Sequence, residues 1–326
     1  MDHLRQLGNS FFVAIQPDEK GFTGRECPQP DCQGYFKIEC GTGLMGKGLP
    51  CHCSYCGHTA GHDHFWTKEQ IEYAKSVAMR KITHALHKDL KKLEFDHKPK
   101  GGFGIGISMK VKPGRLTPIH YYRERQLETE VVCVNCTLRY SIYGVFAYCP
   151  DCGQHNSLQI LDKNLEVVKK MLNMATDAEK ELAEKLIENA LEDCVSAFDG
   201  FGRELCRVHA KKAVNPTKAE KIGLQNLAGA KTNVLYAFRF DLSGLVTSEE
   251  WQSAVRAFQK RHLVAHKMGV VDQDYLTRTN DPDAIVGRKI AVTEEDVRST
   301  VQTVQKLASG FARLLTADGE TGEVAV

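Results

Sequence analysis

Four closely spaced pairs of cysteines limit what the first half of this chain can fold into. The later two pairs both have CxxC spacing and are separated by twelve residues: Cys133, Cys136, Cys149 and Cys152. A CxxC turn can supply two of the four ligands that a tetrahedral zinc ion requires. Gly153, directly after the last cysteine, suits the tight turn behind such a pair. The spacing therefore favours a zinc ribbon over disulfides or buried free thiols.

The earlier cysteines form a second, less regular set. It consists of one CxxxxC pair and one CxxC pair: Cys27 with Cys32, and Cys53 with Cys56. A glycine follows the CxxC pair here too, so we predict a first zinc ribbon from these four residues, with Cys51 as the alternative to Cys53. Four thiolates leave no open coordination position, which is typical of structural zinc. The chain is thus expected to hold two structural Zn²⁺ ions.

A basic helix is predicted between the two cysteine sets. Thr67 and Gln70 have the spacing of a capping box, and apolar residues then recur at helical intervals from Ile71 to Leu93. Basic residues lie on the other face: Arg80, Lys81, Lys88, Lys91 and Lys92. This face has two interpretations, a solvated surface or a nucleic-acid-binding patch that contacts phosphates. Residues 103–132, which follow, are predicted to be extended.

From about residue 158 the pattern changes to long amphipathic helices. Capping signals precede three of them, at Thr176, Thr247 and Thr293. The fold class is therefore multidomain: a small β-rich module of two zinc ribbons and a linking helix, followed by an all-α antiparallel bundle of four or five helices. The predicted segments are 1–66 for the first ribbon, 67–130 for the linking helix and strands, 131–157 for the second ribbon, 158–318 for the bundle and 319–326 for a disordered tail.

The helix predicted from about residue 248 contains an arginine and two histidines. Arg261 is followed by His262 and, one turn later, by His266, so the two histidines share a helix face. A histidine can transfer protons at a ribose 2′-hydroxyl or a leaving 5′-oxygen, and an arginine can stabilise charge on a phosphate. Three interpretations stay open from the residues alone: satisfied histidines buried in the core, a zinc-binding histidine pair, and a ribonuclease site that needs no metal.

The segment from Arg261 to His266 resembles the R-x4-6-H motif of HEPN domains, in which a polar residue often follows the arginine, as His262 does here. The resemblance covers about residues 160–316, and residues 197–205 look like the long earlier helix of such domains. It implies a metal-independent endoribonuclease that acts as a homodimer, with Arg261 binding phosphate, His266 as acid/base and His262 in support. Many family members act as toxins or in defence, and some only bind RNA or assist assembly.

Composition and charge narrow the possible functions only in part. The chain has 326 residues and a formal net charge of +2, which does not identify a nucleic-acid binder. It has no run of about 18 apolar residues and no secretory signal, which favours a cytoplasmic protein without membrane spans. RNA cleavage, with ribbons that recognise RNA or a protein partner, is the main prediction. The alternatives are a non-catalytic ribbon module that dimerises through its helical half and a DNA-binding regulator.

Overall fold

The computed structural model describes residues 2–46, 48–97, 107–112 and 114–316. The chain divides into two compact units, Met1–Gln154 and His155–Val326. The two predicted ribbons and their linking region fall into the first unit, apart from residues 155–157. The tail predicted at 319–326 lies outside the described residues. Within the described ranges, no helix has both the length and the apolar composition that crossing a membrane requires.

The first unit is β-rich and contains one long helix. Its strands are β1 (Phe22–Glu26), β2 (Tyr35–Glu39), β3 (Pro50–His52), β4 (Thr59–Gly61), β5 (Phe95–His97), β6 (Ile107–Met109), β7 (Thr129–Val132) and β8 (Arg139–Ile142). Its helices are α1 (Asp2–Gln6) and α2 (Lys68–Lys91), with a 3-10 turn at His62–Phe65. In the described part of residues 103–132, which were expected to be extended, only β6 and β7 are strands.

The two predicted ribbons share one antiparallel sheet, in the order β1-β2-β8-β7. The hairpin of β1 and β2 belongs to the first ribbon, and the hairpin of β7 and β8 belongs to the second. They join where Lys37 pairs with Ser141 and Ile38 pairs with Tyr140. Ile38 and Tyr140 are both buried in one core, so the two ribbons share a hydrophobic core as well as a sheet.

The linking helix α2 forms, and the apolar stripe predicted along it is only partly buried. Its capping box is present, since Thr67 and Gln70 exchange hydrogen bonds at 3.1 Å. The ends of the predicted apolar stripe, Ile71 and Leu93, are exposed. The buried residues of the helix are Gln70, Ser76, Ala85 and Asp89. The central residues of the stripe are half-buried: Ala74, Ala78, Ile82, Leu86 and Leu90.

Polar contacts decide which face of α2 turns inward. An extended segment runs beside the helix, and Ser76 Oγ accepts from the His120 N–H at 3.0 Å. Near the other end, the Asp89 carboxylate accepts from the N–H groups of His3 and Leu4 in α1 at 3.1 and 3.0 Å. Buried polar groups need hydrogen-bond partners, and these bonds supply them for Ser76 and Asp89.

The second unit is α-helical throughout its described residues, apart from turns and connections. Its helices are α3 (Ser157–Thr176), α4 (Lys180–Val208), α5 (Pro216–Ala219), α6 (Leu227–Phe238), α7 (Ser248–Lys267), α8 (Gln273–Thr279) and α9 (Glu294–Thr316). The four long helices α3, α4, α7 and α9 contribute to one core, in which Phe198, Phe258 and Phe311 are fully buried. The capping boxes predicted at Thr247 and Thr293 both form.

The helix start predicted at Thr176 is wrong. Thr176 is the last residue of α3, and its Oγ1 donates to the carbonyl oxygen of Leu172 at 3.3 Å. Helix α4 begins at Lys180, after Glu179. An N-cap residue needs extended backbone, and Thr176 is still helical. The same sequence signal therefore failed here because α3 continues through it.

Candidate functional site

The first cysteine cluster joins two turns of the first unit. Cys27 and Cys32 lie in the turn between β1 and β2, and Cys53 and Cys56 lie in the turn between β3 and β4. Cys27 Sγ lies 3.6 Å from Cys56 Sγ, and Cys32 Sγ lies 3.7 Å from Cys53 Sγ. The ligand atoms of the four residues all lie within 4.8 Å of one another. The structure thus brings together the four residues chosen from their spacing.

The second cluster is built in the same way. Cys133 and Cys136 lie in the turn between β7 and β8, and Cys149 and Cys152 lie in the turn after β8. Cys133 Sγ lies 3.7 Å from Cys152 Sγ, and Cys136 Sγ lies 3.4 Å from Cys149 Sγ. These four side chains also form one compact group.

Both clusters have the geometry of a tetrahedral zinc site. A Zn–S bond of about 2.3 Å places the sulfur atoms of a tetrahedron about 3.7 to 3.8 Å apart, close to the 3.4 to 3.7 Å found here. A disulfide would need sulfur atoms about 2.05 Å apart. Each cluster can therefore hold a zinc ion with four thiolates. Such closed sites stabilise a fold and leave no position for a reacting water.

All four cysteine turns have a left-handed residue directly after their second cysteine. These residues are Gln33 at φ 44°, Gly57 at φ 70°, Thr137 at φ 64° and Gly153 at φ 69°. In the three CxxC turns the N–H of this residue donates to the carbonyl of the first cysteine, at 2.9 to 3.0 Å. Glycine adopts this backbone conformation without steric cost, whereas a β-branched residue does not. Thr137 is thus a locally strained residue within the second cluster.

Burial raises the pKa of four of these thiols, whereas at Cys56 and Cys152 hydrogen bonds outweigh burial and lower the pKa. Burial raises the pKa of Cys27 to about 12 and the pKa of Cys136 to about 11. Burial also raises the pKa of Cys53 and of Cys149. Zinc binds the thiolate, so metal binding must release these protons. The free energy of that exchange is part of the free energy of folding for this module.

Cys51, the alternative ligand, does not belong to the first cluster. It is fully buried in β3, where it pairs with Ala60, and burial raises its pKa to about 12. Cys53 completes the group of four instead.

The basic residues predicted on α2 are accessible to solvent. Lys81, Lys88 and Lys91 are exposed, and Arg80 is half-buried. Lys92 pairs with Asp2 at 3.1 Å. The other four have no carboxylate within 4.0 Å in the ranges that the structure describes. Their charges are therefore available to a ligand.

Arg261, His262 and His266 line one pocket near the C-terminal end of α7. The pocket has a volume of about 330 Å³. The two imidazole rings lie 4.9 Å apart between centroids, with 57° between their planes. The remaining lining residues are Gln225, Asn226, Gln259, Asp274 and Arg278. The three predicted residues thus meet in one concave site.

The exposure of these side chains reverses one of the sequence interpretations. His262 continues an apolar spacing along α7, which predicts a buried, satisfied histidine. Both His262 and His266 are exposed, while the Arg261 side chain is only 11% exposed. Leu263 takes the buried position and packs with Val271 and Tyr275. The interpretation of buried histidines is wrong because the side of α7 that carries Leu263 is packed inward, and the histidines lie on another side.

Arg261 has hydrogen-bonding capacity that the described residues do not use. Its Nη2 lies 3.8 Å from Glu192 Oε1, which is too long for a hydrogen bond. Its Nε is buried and has no hydrogen-bond partner in the part of the chain that the structure describes. An unsatisfied buried donor is costly, and a guanidinium has the fork geometry that suits phosphate. The Arg261 guanidinium therefore keeps unused donor capacity at the lining of the pocket.

The charge around the pocket also affects its histidines. Partial desolvation lowers the pKa of His262, and the neighbouring His266, Lys267 and Arg261 lower it further. A lowered pKa favours the neutral form of His262, which is the form that accepts a proton. The second interpretation was a metal site at the histidine pair. Among the described residues, the groups of three or more possible metal ligands are the two cysteine clusters, and neither includes His262 or His266.

Sequence reasoning missed the residues that complete the pocket. Gln225 and Asn226 come from the turn before α6, and Asp274 and Arg278 come from α8. They lie 13 to 36 residues from Arg261 in the chain, so no local spacing connects them. The one available signal was Gly202, a glycine inside α4. It indicates a close approach of another segment, and the structure shows that this segment contains Leu224.

Comparisons with protein-family models, curated proteins and solved structures find no match for this chain.

Proposed function

We propose that this protein is a metal-independent endoribonuclease of the HEPN type that cleaves RNA at the pocket of Arg261, His262 and His266. One observation carries the proposal: an arginine with unused donors and two exposed imidazoles line the same pocket. The R-x4-H spacing of these residues and their place in a helical unit support it.

The chemistry needs two proton transfers and one charge stabiliser. His266 takes the proton of a ribose 2′-hydroxyl, whose oxygen attacks the adjacent phosphorus. The bond to the 5′-oxygen breaks, and that oxygen takes a proton from a second histidine, which leaves a 2′,3′-cyclic phosphate and a 5′-hydroxyl end. Arg261 binds the non-bridging oxygens and stabilises the charge that develops on them. His262 orients His266 or the substrate.

A homodimer would complete the set of proton-transfer groups. One copy offers a single histidine in the acid/base role, and two copies related by a two-fold axis would offer two. The zinc-ribbon module would then recognise the RNA, or a protein partner, outside the cleft. The unpaired lysines of α2 support RNA as its ligand, because lysines free of carboxylates can bind phosphates.

The test is cleavage of total RNA in excess EDTA, once the protein has been shown to stay folded. Wild type is compared with Arg261→Ala, His266→Ala and the control Gln252→Ala. Gln252 is exposed on α7, about 21 Å along the helix from His266. We expect wild type and Gln252→Ala to produce 2′,3′-cyclic phosphate ends and the other two to produce none. RNA binding without cleavage in all four proteins would support the non-catalytic alternative.

A further inference from the structure

The turn before α6 forms one wall of the pocket, and a side chain of α4 hydrogen-bonds to its backbone. Asp199 Oδ1 accepts from the N–H groups of Leu224 and Gln225 at 2.5 and 3.2 Å. Its Oδ2 accepts from Arg203 Nε at 2.8 Å. The Asp199 side chain is 8% exposed. A buried carboxylate with three donors is a strong local anchor.

The backbone of α4 leaves room for this turn. A Cβ added at Gly202 would lie 2.4 Å from Leu224 side-chain atoms, and one added at Gly223 would lie 2.4 Å from an Arg203 nitrogen. Only glycine allows the turn to approach α4 this closely. The glycine inside the helix therefore has a structural role: it lets Asp199 reach the backbone of the turn.

The turn presents two amide side chains at the pocket. Gln225 is exposed. Asn226 caps α6, because its Oδ1 accepts from the Gly229 N–H at 3.3 Å, and its Nδ2 therefore remains as a donor. Amides carry donors and acceptors of the kind that pair with the edges of unstacked bases in RNA. The cations at the pocket, Arg261 and Arg278, suit the phosphate instead.

We infer that Gln225 and Asn226 form a base-recognition wall that contacts the nucleobase beside the phosphate bound by Arg261, and that Asp199 is its positioning residue. The inference rests on the proposed ribonuclease function for the identity of the ligand, single-stranded RNA. It adds a sequence preference to that function. Removing a good hydrogen-bonded pairing to a base edge costs roughly 5- to 100-fold in discrimination.

The first experiment maps cleavage positions in a random-sequence RNA pool by sequencing the new ends. The variants are Gln225→Ala, Asn226→Ser and Asp199→Asn; serine keeps the helix cap and removes the amide. The control is Glu204→Gln, which also removes a buried α4 carboxylate paired with an arginine, in this case Arg207 at 2.6 Å. We expect a base preference beside the cleaved bond in wild type and control. It should weaken about 5- to 100-fold in the three variants, and Asp199→Asn should raise KM more than it lowers kcat.

A binding experiment separates this inference from the catalytic proposal. The affinities of the four 2′-O-methyl homopolymers, which cannot be cleaved, are measured by fluorescence anisotropy. Discrimination by wild type that disappears in Gln225→Ala supports the wall even if no cleavage is found. Equal affinities for all four homopolymers, or an unchanged cleavage preference in Gln225→Ala and Asn226→Ser, would overturn it.

Discussion

The backbone N–H of His52 donates to the carbonyl oxygen of Pro150 at 2.7 Å and so connects the two cysteine clusters. A reciprocal bond runs from the Tyr148 N–H to the carbonyl oxygen of Ser54 at 2.8 Å. These four residues flank Cys53 and Cys149, one ligand of each cluster. Together with the pairing of β2 and β8, these hydrogen bonds connect the backbone around one cluster to the backbone around the other.

Loss of one site should therefore weaken the other. We expect wild type to bind about two zinc ions and to keep them in a mild chelator. Cys149→Ser should lose the ion of the second cluster. It should also release the ion of the first cluster to that chelator, because metal binding and folding are coupled. Elemental analysis after dialysis against the chelator measures this. The control is Cys40→Ser, since Cys40 is exposed and lies outside both clusters. One ion held as tightly as in wild type would show that the ribbons are independent.

The left-handed turn residues predict two opposite changes in stability. Thr137→Gly should raise the free energy of unfolding by about 0.5 to 1 kcal/mol, because it removes the strain of a Cβ at positive φ at some cost in chain entropy. Gly153→Ala should lower it by about 1 to 2 kcal/mol, since the new Cβ would also lie 3.1 Å from the His52 ring. Urea unfolding of the zinc-loaded proteins measures both. A shift of the two variants in the same direction would contradict this assignment.

His209 should make the second unit less stable in mild acid. Burial lowers its pKa from 6.5 to about 4, helped by the charges of Lys212 and His155. The unfolded chain binds this proton more readily, so stability falls as pH decreases from about 6.5 towards 4 and then stops changing through this group. His209→Gln should lose that part of the pH dependence. Thermal unfolding of both proteins between pH 7 and pH 4.5 checks the prediction; parallel curves would refute it.

Arg261 should be replaceable for folding but not for cleavage. In Arg261→Lys the positive charge remains, but the forked donors and the buried Nε are absent, so cleavage should fall about 100-fold. The melting temperature should change little, since among the described residues only Glu192, at 3.8 Å, places a carboxylate within 4.0 Å of Arg261. Arg256→Lys, on the same helix and outside the pocket lining, serves as control. Equal activity of the two variants would remove Arg261 from the mechanism.

The exposed lysines of α2 should govern the salt dependence of RNA binding. Replacing Lys81, Lys88 and Lys91 by glutamine should reduce the slope of log affinity against log salt by roughly 0.7 for each phosphate that is no longer neutralised. Lys20→Gln is a matched control, because Lys20 is already paired with Glu130 at 2.6 Å. The measurement is the RNA affinity of the three proteins from 50 to 300 mM salt. If the triple variant keeps the wild-type slope, this face of α2 does not bind the RNA.

Several features could be predicted from short stretches of sequence. The cysteine ligand sets depend on CxxC and CxxxxC turns, and the caps at Thr67, Thr247 and Thr293 depend on residues three positions apart. Within a cap or a single cysteine turn the interacting atoms are close in the chain, so their geometry follows from local backbone preferences. The meeting of two turns at one site joins cysteines up to 29 residues apart and is a tertiary contact. The signal at Thr176 shows the limit, because the preceding helix simply extended past it.

Burial and the composition of the pocket depended on contacts between distant residues. The sequence could place Arg261, His262 and His266 on one helix face, but the packing of Leu263 decided that the histidines are exposed and the arginine is mostly covered. Only the tertiary structure brought Asp199 to the turn at Leu224 and joined Ile38 to Tyr140. Chain neighbours determine turns, caps and metal-ligand spacing, whereas long-range packing determines which face of each element meets solvent.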